Sequence, residues 1–261
     1  MKAESKILKA LLGGGLILLL ASAIVGHAGA DNCVQRPAGL VSWWPGEGNA
    51  VDIQDSNPGV LEGGATFAAG KVGQAFSFNG VNQFVQVPDA SSLDPTAEAT
   101  LDAWVKFNQL PSAAGHFMQI AAKAGVSKDL DLQAETDDKF HFYVGGGEPS
   151  AVSTTVIVTG RWYHIAATYK AADRIQIYVD GVLEGTWLIP RITRQANGNP
   201  FTIGASYVWE GRFFNGLIDE VDLFNRALGA TEIQALFDAG SAGKCRRKAM
   251  PPSTPLLLLD E

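Results

Sequence analysis

Apolar and polar residues alternate with a period of two along most of the chain, in short runs separated by turn residues. "AFSFNG" (75–80), "QFVQVP" (83–88), "ATLDAWVKF" (99–107), "KFHFYVG" (139–145), "RWYHIAATY" (161–169), "RIQIYVDG" (174–181) and "FTIGAS" (201–206) all read as strands. In the cleanest of them, Ile175, Ile177 and Val179 face one way and Arg174, Gln176 and Tyr178 the other. Asp180-Gly181 is a type I′ hairpin signal, and "GVLEGTWL" supplies the returning strand. "NGLIDEVDLF" (215–224) alternates as well: Leu217, Val221 and Leu223 share a face, with Asp219 among them, and Ile218, Glu220, Asp222 and Phe224 form the other. A carboxylate on the more apolar face needs a partner to neutralise or hydrogen-bond it. One stretch changes to a helical period. Gly229 is placed as N-cap, Glu232 at N3, Ile233, Leu236 and Phe237 on one face, and Gly240 beyond the end. Strands every 8–12 residues with one late helix predict an all-β sandwich.

Composition fits a globular chain with a large core, at 46% hydrophobic and 18% charged residues. Lysine and arginine are too few for nucleic-acid binding. The first thirty residues stand apart. Lys2, Lys6 and Lys9 precede an apolar run from Leu11 to Val25, and Ala28 and Ala30 form a small-residue cleavage site before Asp31. Residues 1–30 read as a signal peptide, with an uncleaved membrane anchor as the alternative. The segment carries three lysines and one glutamate, so cleavage takes the formal charge from −7 to −9. The mature chain is then secreted, periplasmic or cell-surface, with no membrane insertion. In an oxidising compartment Cys33 and Cys245 pair, the alternative being two free thiols. Residues 31–245 form one domain, and the proline-flanked tail 246–261, "RRKAMPPSTPLLLLDE", is expected to be disordered or loosely docked.

Five ordered segments carry a family likeness. "GLVSWWPGEGNAVD" (39–52), "GQAFSFNGVNQFVQVPD" (73–89), "ATLDAWVKF" (99–107), "GRWYHIAATYKAADRIQIYVDG" (160–181) and "FNGLIDEVDLFNRALGATEIQAL" (214–236) resemble the signatures of LamG-like jelly-roll domains of the concanavalin A-like lectin/glucanase superfamily. The resemblance implies a two-sheet antiparallel jelly-roll sandwich with one short C-terminal helix and neighbouring termini, which agrees with a Cys33–Cys245 bridge. It also implies a calcium ion held by Asp52, with Glu47 a further candidate, by the Gly80 carbonyl and by Asp219. The bare sequence leaves a second possibility for Asp219: backbone amides or an arginine.

Sugar hydrolases of this fold carry E-x-D-x-x-E or E-x-D-x-E on a strand. The nearest strings here, "ETDDKF" at Glu135 and "EVDLF" at Glu220, lack the second glutamate. G-x-S-x-G is absent, and His116, His141 and His164 show no metal spacing. The glycines of "GKVGQAF" (70–76) precede no helix, so they form no phosphate loop. The reading is a non-enzyme that binds glycan or another surface polymer, the alternative being a structural or protein-adhesion module and the third a glycoside hydrolase. Tyr207, Trp209, Glu210 and Arg212, in "GASYVWEGRFF" (204–214), are the candidate ligand-binding residues.

Overall fold

The computed structural model describes residues 33–54, 56–123, 130–145, 150–189 and 191–246. The readings for residues 1–30 and for all but the first residue of the tail lie outside them. In chain order the strands are β1 (Leu40–Trp44), β2 (Val60–Glu62), β3 (Thr66–Ala69), β4 (Gln74–Asn79), β5 (Phe84–Val87), β6 (Glu98–Phe107), β7 (Met118–Ala122), β8 (Asp131–Ala134), β9 (Phe140–Tyr143), β10 (Ala151–Val152), β11 (Trp162–Lys170), β12 (Arg174–Val179), β13 (Val182–Leu188), β14 (Phe201–Ile203) and β15 (Asn215–Phe224). A one-turn helix, α1 (Pro111–Ala114), starts on a proline, and α2 (Ala230–Ala239) is the C-terminal helix.

The strands form two antiparallel sheets. One runs β13-β12-β11-β6-β15-β4-β3, with β1 joined to β15; the other runs β10-β9-β8-β7-β14-β5-β2. Their inner faces share one apolar core, in which Trp44 stacks on Phe201 with ring centroids 5.0 Å apart. The β12–β13 hairpin turns as its residues dictate: Asp180 and Gly181 both have positive φ, and Val179 pairs with Val182. Helix α2 lays Ile233 and Leu236 on the outer face of the larger sheet, against Ala166, Tyr178 and Phe224.

Strands β7 and β8 escape the alternation rule because both their faces are buried, polar Gln119, Asp131 and Gln133 included. Strands β2 and β10 are too short to show a pattern. The larger departure is in β15. Asp219 pairs with Trp104 and Asp222 with Asp102, so one extra residue is taken up between them. That bulge centres on Glu220, whose φ is +55°. It flips the parity of the strand: Ile218, Val221 and Leu223 enter the core, and Leu217 does not join them. Asp219 therefore does not share a face with Val221 and Leu223. The bulge also marks a change of neighbour, since β15 pairs with β4 up to Ile218 and with β1 from Val221 onward.

Candidate functional site

The partner of Asp219 is the turn between β3 and β4. Its Oδ2 accepts the backbone N–H groups of Lys71 and Val72, at 2.8 and 2.9 Å. The turn that presents them is closed by the Gly70 N–H on the Gly73 carbonyl at 3.0 Å. Gly70 lies so close that a Cβ there would stand 2.6 Å from Asp219 Oδ2. The glycines of "GKVG" thus shape a cradle of N–H groups for an internal carboxylate. Burial pushes the Asp219 pKa up to about 8 against the pull of the Val72 amide; Glu220 raises it further, and the Lys71 amide and Lys244 oppose.

Asp52, Gly80 and Asp219, the expected calcium ligands, each have surroundings of their own. Asp52 holds its own turn: Oδ1 accepts the N–H groups of Trp43 and Gln54 at 2.8 and 2.9 Å, and Oδ2 that of Asn57 at 3.1 Å. Glu47 accepts the Gln74 N–H and pairs with Arg246. Gly80 lies beside Asn215, four residues along β15 from Asp219, which is about 13 Å of strand. Calcium needs six to eight oxygens around one point. Among the described residues no group of three or more His, Cys, Asp or Glu is placed to hold a metal.

The acidic residues around the bulge have a cation of their own. Lys244 Nζ lies 2.7 Å from Glu220 Oε2, 2.9 Å from Asp222 Oδ2 and 4.7 Å from the Trp43 ring centroid. Asp102, opposite Asp222, is met by His164 Nε2 at 3.0 Å. Burial drives the Asp222 pKa well above the carboxylate range; Lys244 opposes this, and Asp102 and Glu220 add to it. Burial works against the charge of Lys244, but Asp222, Glu220 and Asp102 together hold its pKa above the usual value. These side chains are buried.

A pocket among the described residues lies on the other sheet. Strand β5 turns Val85 and Val87 into the core and leaves Phe84 and Gln86 on the outer face. The 204–214 loop arches beside them. Its neck is fixed by the Phe214 N–H on the Gly204 carbonyl at 2.9 Å and by the Gly204 N–H on the Ile120 carbonyl at 3.0 Å. Phe214 is wholly buried, its ring 4.7 Å from that of Phe107. Between loop and strand is a pocket of about 490 Å³, lined by Phe84 and Gln86 below and by Ala205, Ser206, Tyr207, Glu210, Gly211 and Phe213 from the loop. The Phe84 and Phe213 rings are 6.3 Å apart and tilted. Tyr207 is 53% exposed. Gln86, Tyr207 and Glu210 make no side-chain hydrogen bond or ion pair with the described residues, so their polar ends are available.

Two of the four expected binding residues, Tyr207 and Glu210, line this pocket; Trp209 and Arg212 do not. Arg212 reaches over the sheet, where Nη1 donates to Gln133 Oε1 at 2.9 Å and the guanidinium lies 5.0 Å from the Phe117 ring. Trp209, 40% exposed, stacks on the same guanidinium at 5.1 Å. Phe84, Gln86 and Phe213 were not read as binding residues. The alternation in "QFVQVP" separates Phe84 and Gln86 from the core, but only the sheet order brings β5 to the loop. Gln133 and Tyr143 both donate to Glu135 Oε1 at 2.7 Å, so this carboxylate belongs to a polar network on the sheet.

A family model described as the concanavalin A-like lectin/glucanases superfamily, of laminin G type, matches residues 79–234. No curated protein sequence matches the chain. Among solved structures, domain 4 of AbnA, a GH43 extracellular arabinanase from Geobacillus stearothermophilus in complex with arabinotriose, is 21% identical; the match covers 78% of this chain and 100% of that one, with a TM-score of 0.63. The binding domain of Paraclostridial Mosquitocidal Protein 1 is 15% identical over 77% of this chain and 52% of that one, with a TM-score of 0.68. A Trypanosoma rangeli sialidase complex is 22% identical over 80% of this chain and 34% of that one, with a TM-score of 0.59. The chain thus spans about half of the mosquitocidal domain and a third of the sialidase. Identities this low speak to the fold alone.

Proposed function

This chain belongs to the concanavalin A-like lectin/glucanases superfamily, and from that premise we propose that it is an exported, non-catalytic module that binds a glycan or a similar surface polymer in the pocket under the 204–214 loop. The observation that carries the reading is the pocket's chemistry. Three aromatic side chains, Phe84, Tyr207 and Phe213, stand with Gln86, Ser206 and Glu210 around a space of about 490 Å³. Sugar rings are recognised by aromatic faces against their C–H faces and by polar groups for their hydroxyls, and the volume is that of a small-molecule site. The neighbour solved with arabinotriose and the toxin binding domain of like fold agree with a binding role. The Cys33–Cys245 disulfide agrees with export. In most glycosidase families hydrolysis takes a pair of carboxyl groups, and Glu210 is the single carboxylate lining the pocket among the described residues.

A glycan array on the secreted protein, followed by calorimetry on the hits, tests this. The expected result is a saccharide ligand whose binding is lost in Tyr207→Ala and Phe213→Ala while the melting curve is kept. An array with no hits would move the protein to the alternative of a structural or protein-adhesion module. Release of reducing ends from a bound oligosaccharide would make it an enzyme.

A further inference from the structure

We propose that the pocket takes neutral and amino sugars and turns away uronic and sialic acids, with Glu210 as the residue that sets this choice. The inference rests on the pocket being a saccharide site and adds the charge class of the sugar.

Glu210 is the one charged side chain among the described residues that line the pocket; no lysine, arginine or histidine is there. Its carboxylate has no ion-pair partner among the described residues, unlike the paired Asp180 or Glu232. The loop holds a single cation, Arg212, and that side chain is committed elsewhere, to Gln133 and between the rings of Phe117 and Trp209. Recognition of a sugar carboxylate calls for a cationic fork or converging N–H groups. Without them the acid would lose water beside a like charge. The chain as a whole, with a formal charge of −7, adds repulsion at longer range. A neutral sugar meets no such barrier, and its hydroxyls find the free ends of Gln86 and Tyr207. The ammonium of a glucosamine unit gains from Glu210 and from the aromatic faces around it.

The test is titration of the full secreted chain, at low ionic strength, with three oligosaccharide sets of matched length: neutral arabino- and xylo-oligosaccharides, glucosamine oligomers, and oligogalacturonates with sialyllactose. Wild type should bind the first two and not the third. Glu210→Gln should weaken glucosamine oligomers about fivefold more than it weakens neutral ligands, the scale of one exposed charge pair. Glu210→Lys should admit the acidic set. Tightest binding of an acidic sugar by wild type, or a glucosamine affinity that Glu210→Gln leaves unchanged, would overturn the charge assignment while leaving the saccharide site standing. Failure of all three sets to bind wild type would bring down the saccharide reading and this inference with it.

Discussion

Lys244 Nζ lies 2.7 Å from Glu220 Oε2, and both side chains are buried. One belongs to the last described segment of the domain, the other to the bulge of a central strand. The contact exists because Glu220 is the extra residue in β15, and its positive φ turns the carboxylate to the outer face together with Asp219 and Asp222. Glu220 and Asp222 would stand there without a cation. The chain returns after α2 and lowers an ammonium among them. Val34 and Lys244 form a parallel bridge beside it, next to the Cys33–Cys245 disulfide.

Lys244→Met should destabilise the fold by about 3–5 kcal/mol, because removing one partner of a buried ionic group strands the other. The triple variant Lys244→Met, Glu220→Gln, Asp222→Asn should recover much of that loss. Urea unfolding measures both. A loss below about 1 kcal/mol in the single variant would show that water reaches these carboxylates.

The disulfide joins residues 212 apart in sequence. Opening so long a loop costs up to about 5 kcal/mol in the chain-entropy model. Cys33→Ser should lower the melting temperature, and dithiothreitol should lower that of wild type to the same value without affecting the variant. A reductant effect that persists in Cys33→Ser would point to another cause.

Asp219 gives the fold a pH dependence of defined sign. Its folded pKa is raised to about 8, above the roughly 3.9 of an unfolded aspartate. Between these values the folded state holds a proton that the unfolded chain has lost. Its contribution is therefore fully present below about pH 4 and falls as pH rises towards 8. In Asp219→Asn the amide oxygen can accept both N–H bonds of Lys71 and Val72, and no charge is buried. This variant should melt at or above wild type at pH 8.5 and show a flatter pH profile. Chelator should change neither curve. Chelator that lowers the wild-type melting temperature and spares Asp219→Asn would put a metal at this position.

Much of the sandwich was legible because alternation is a local property. "RIQIYVDG" contains its own faces and its own turn, and Ile175, Ile177 and Val179 are in the core as their period demands. Two cysteines at the ends of one domain announce their bridge in the same way. The bulge at Glu220 was not legible. An extra residue in a continuous strand leaves no compositional trace, yet it reverses the face of everything after it. In the sequence Asp219 is an oddity, and "GKVG" gives no sign of being its cradle, because glycines that precede no helix match no phosphate loop and the two segments lie far apart in the chain. In the 204–214 loop, residue type alone marked a site, and Tyr207 and Glu210 line it. Which way Trp209 and Arg212 turn depends on contacts with Phe117 and Gln133, from strands far away in sequence.

Gly204 ties the loop to the core, and its replacement should be felt in both. Its φ is +85°, and a Cβ there would meet the Phe78 ring at 2.7–2.8 Å. An alanine must adopt a left-handed backbone and push aside a buried aromatic packed against Phe76. Strain and overpacking of this kind cost about 1–3 kcal/mol. The same residue both accepts and donates the neck bonds of the loop, so the displacement passes directly to Ala205 and Ser206 in the pocket wall. Gly204→Ala should therefore lose stability and ligand affinity together. Gly211→Ala, also at positive φ but with no atom within 4 Å of its would-be Cβ, should lose stability through the backbone alone. Melting curves and titrations of the two variants separate these effects. If Gly204→Ala binds its ligand as tightly as wild type, the neck does not position the pocket, and the loop is held in shape by its own side chains.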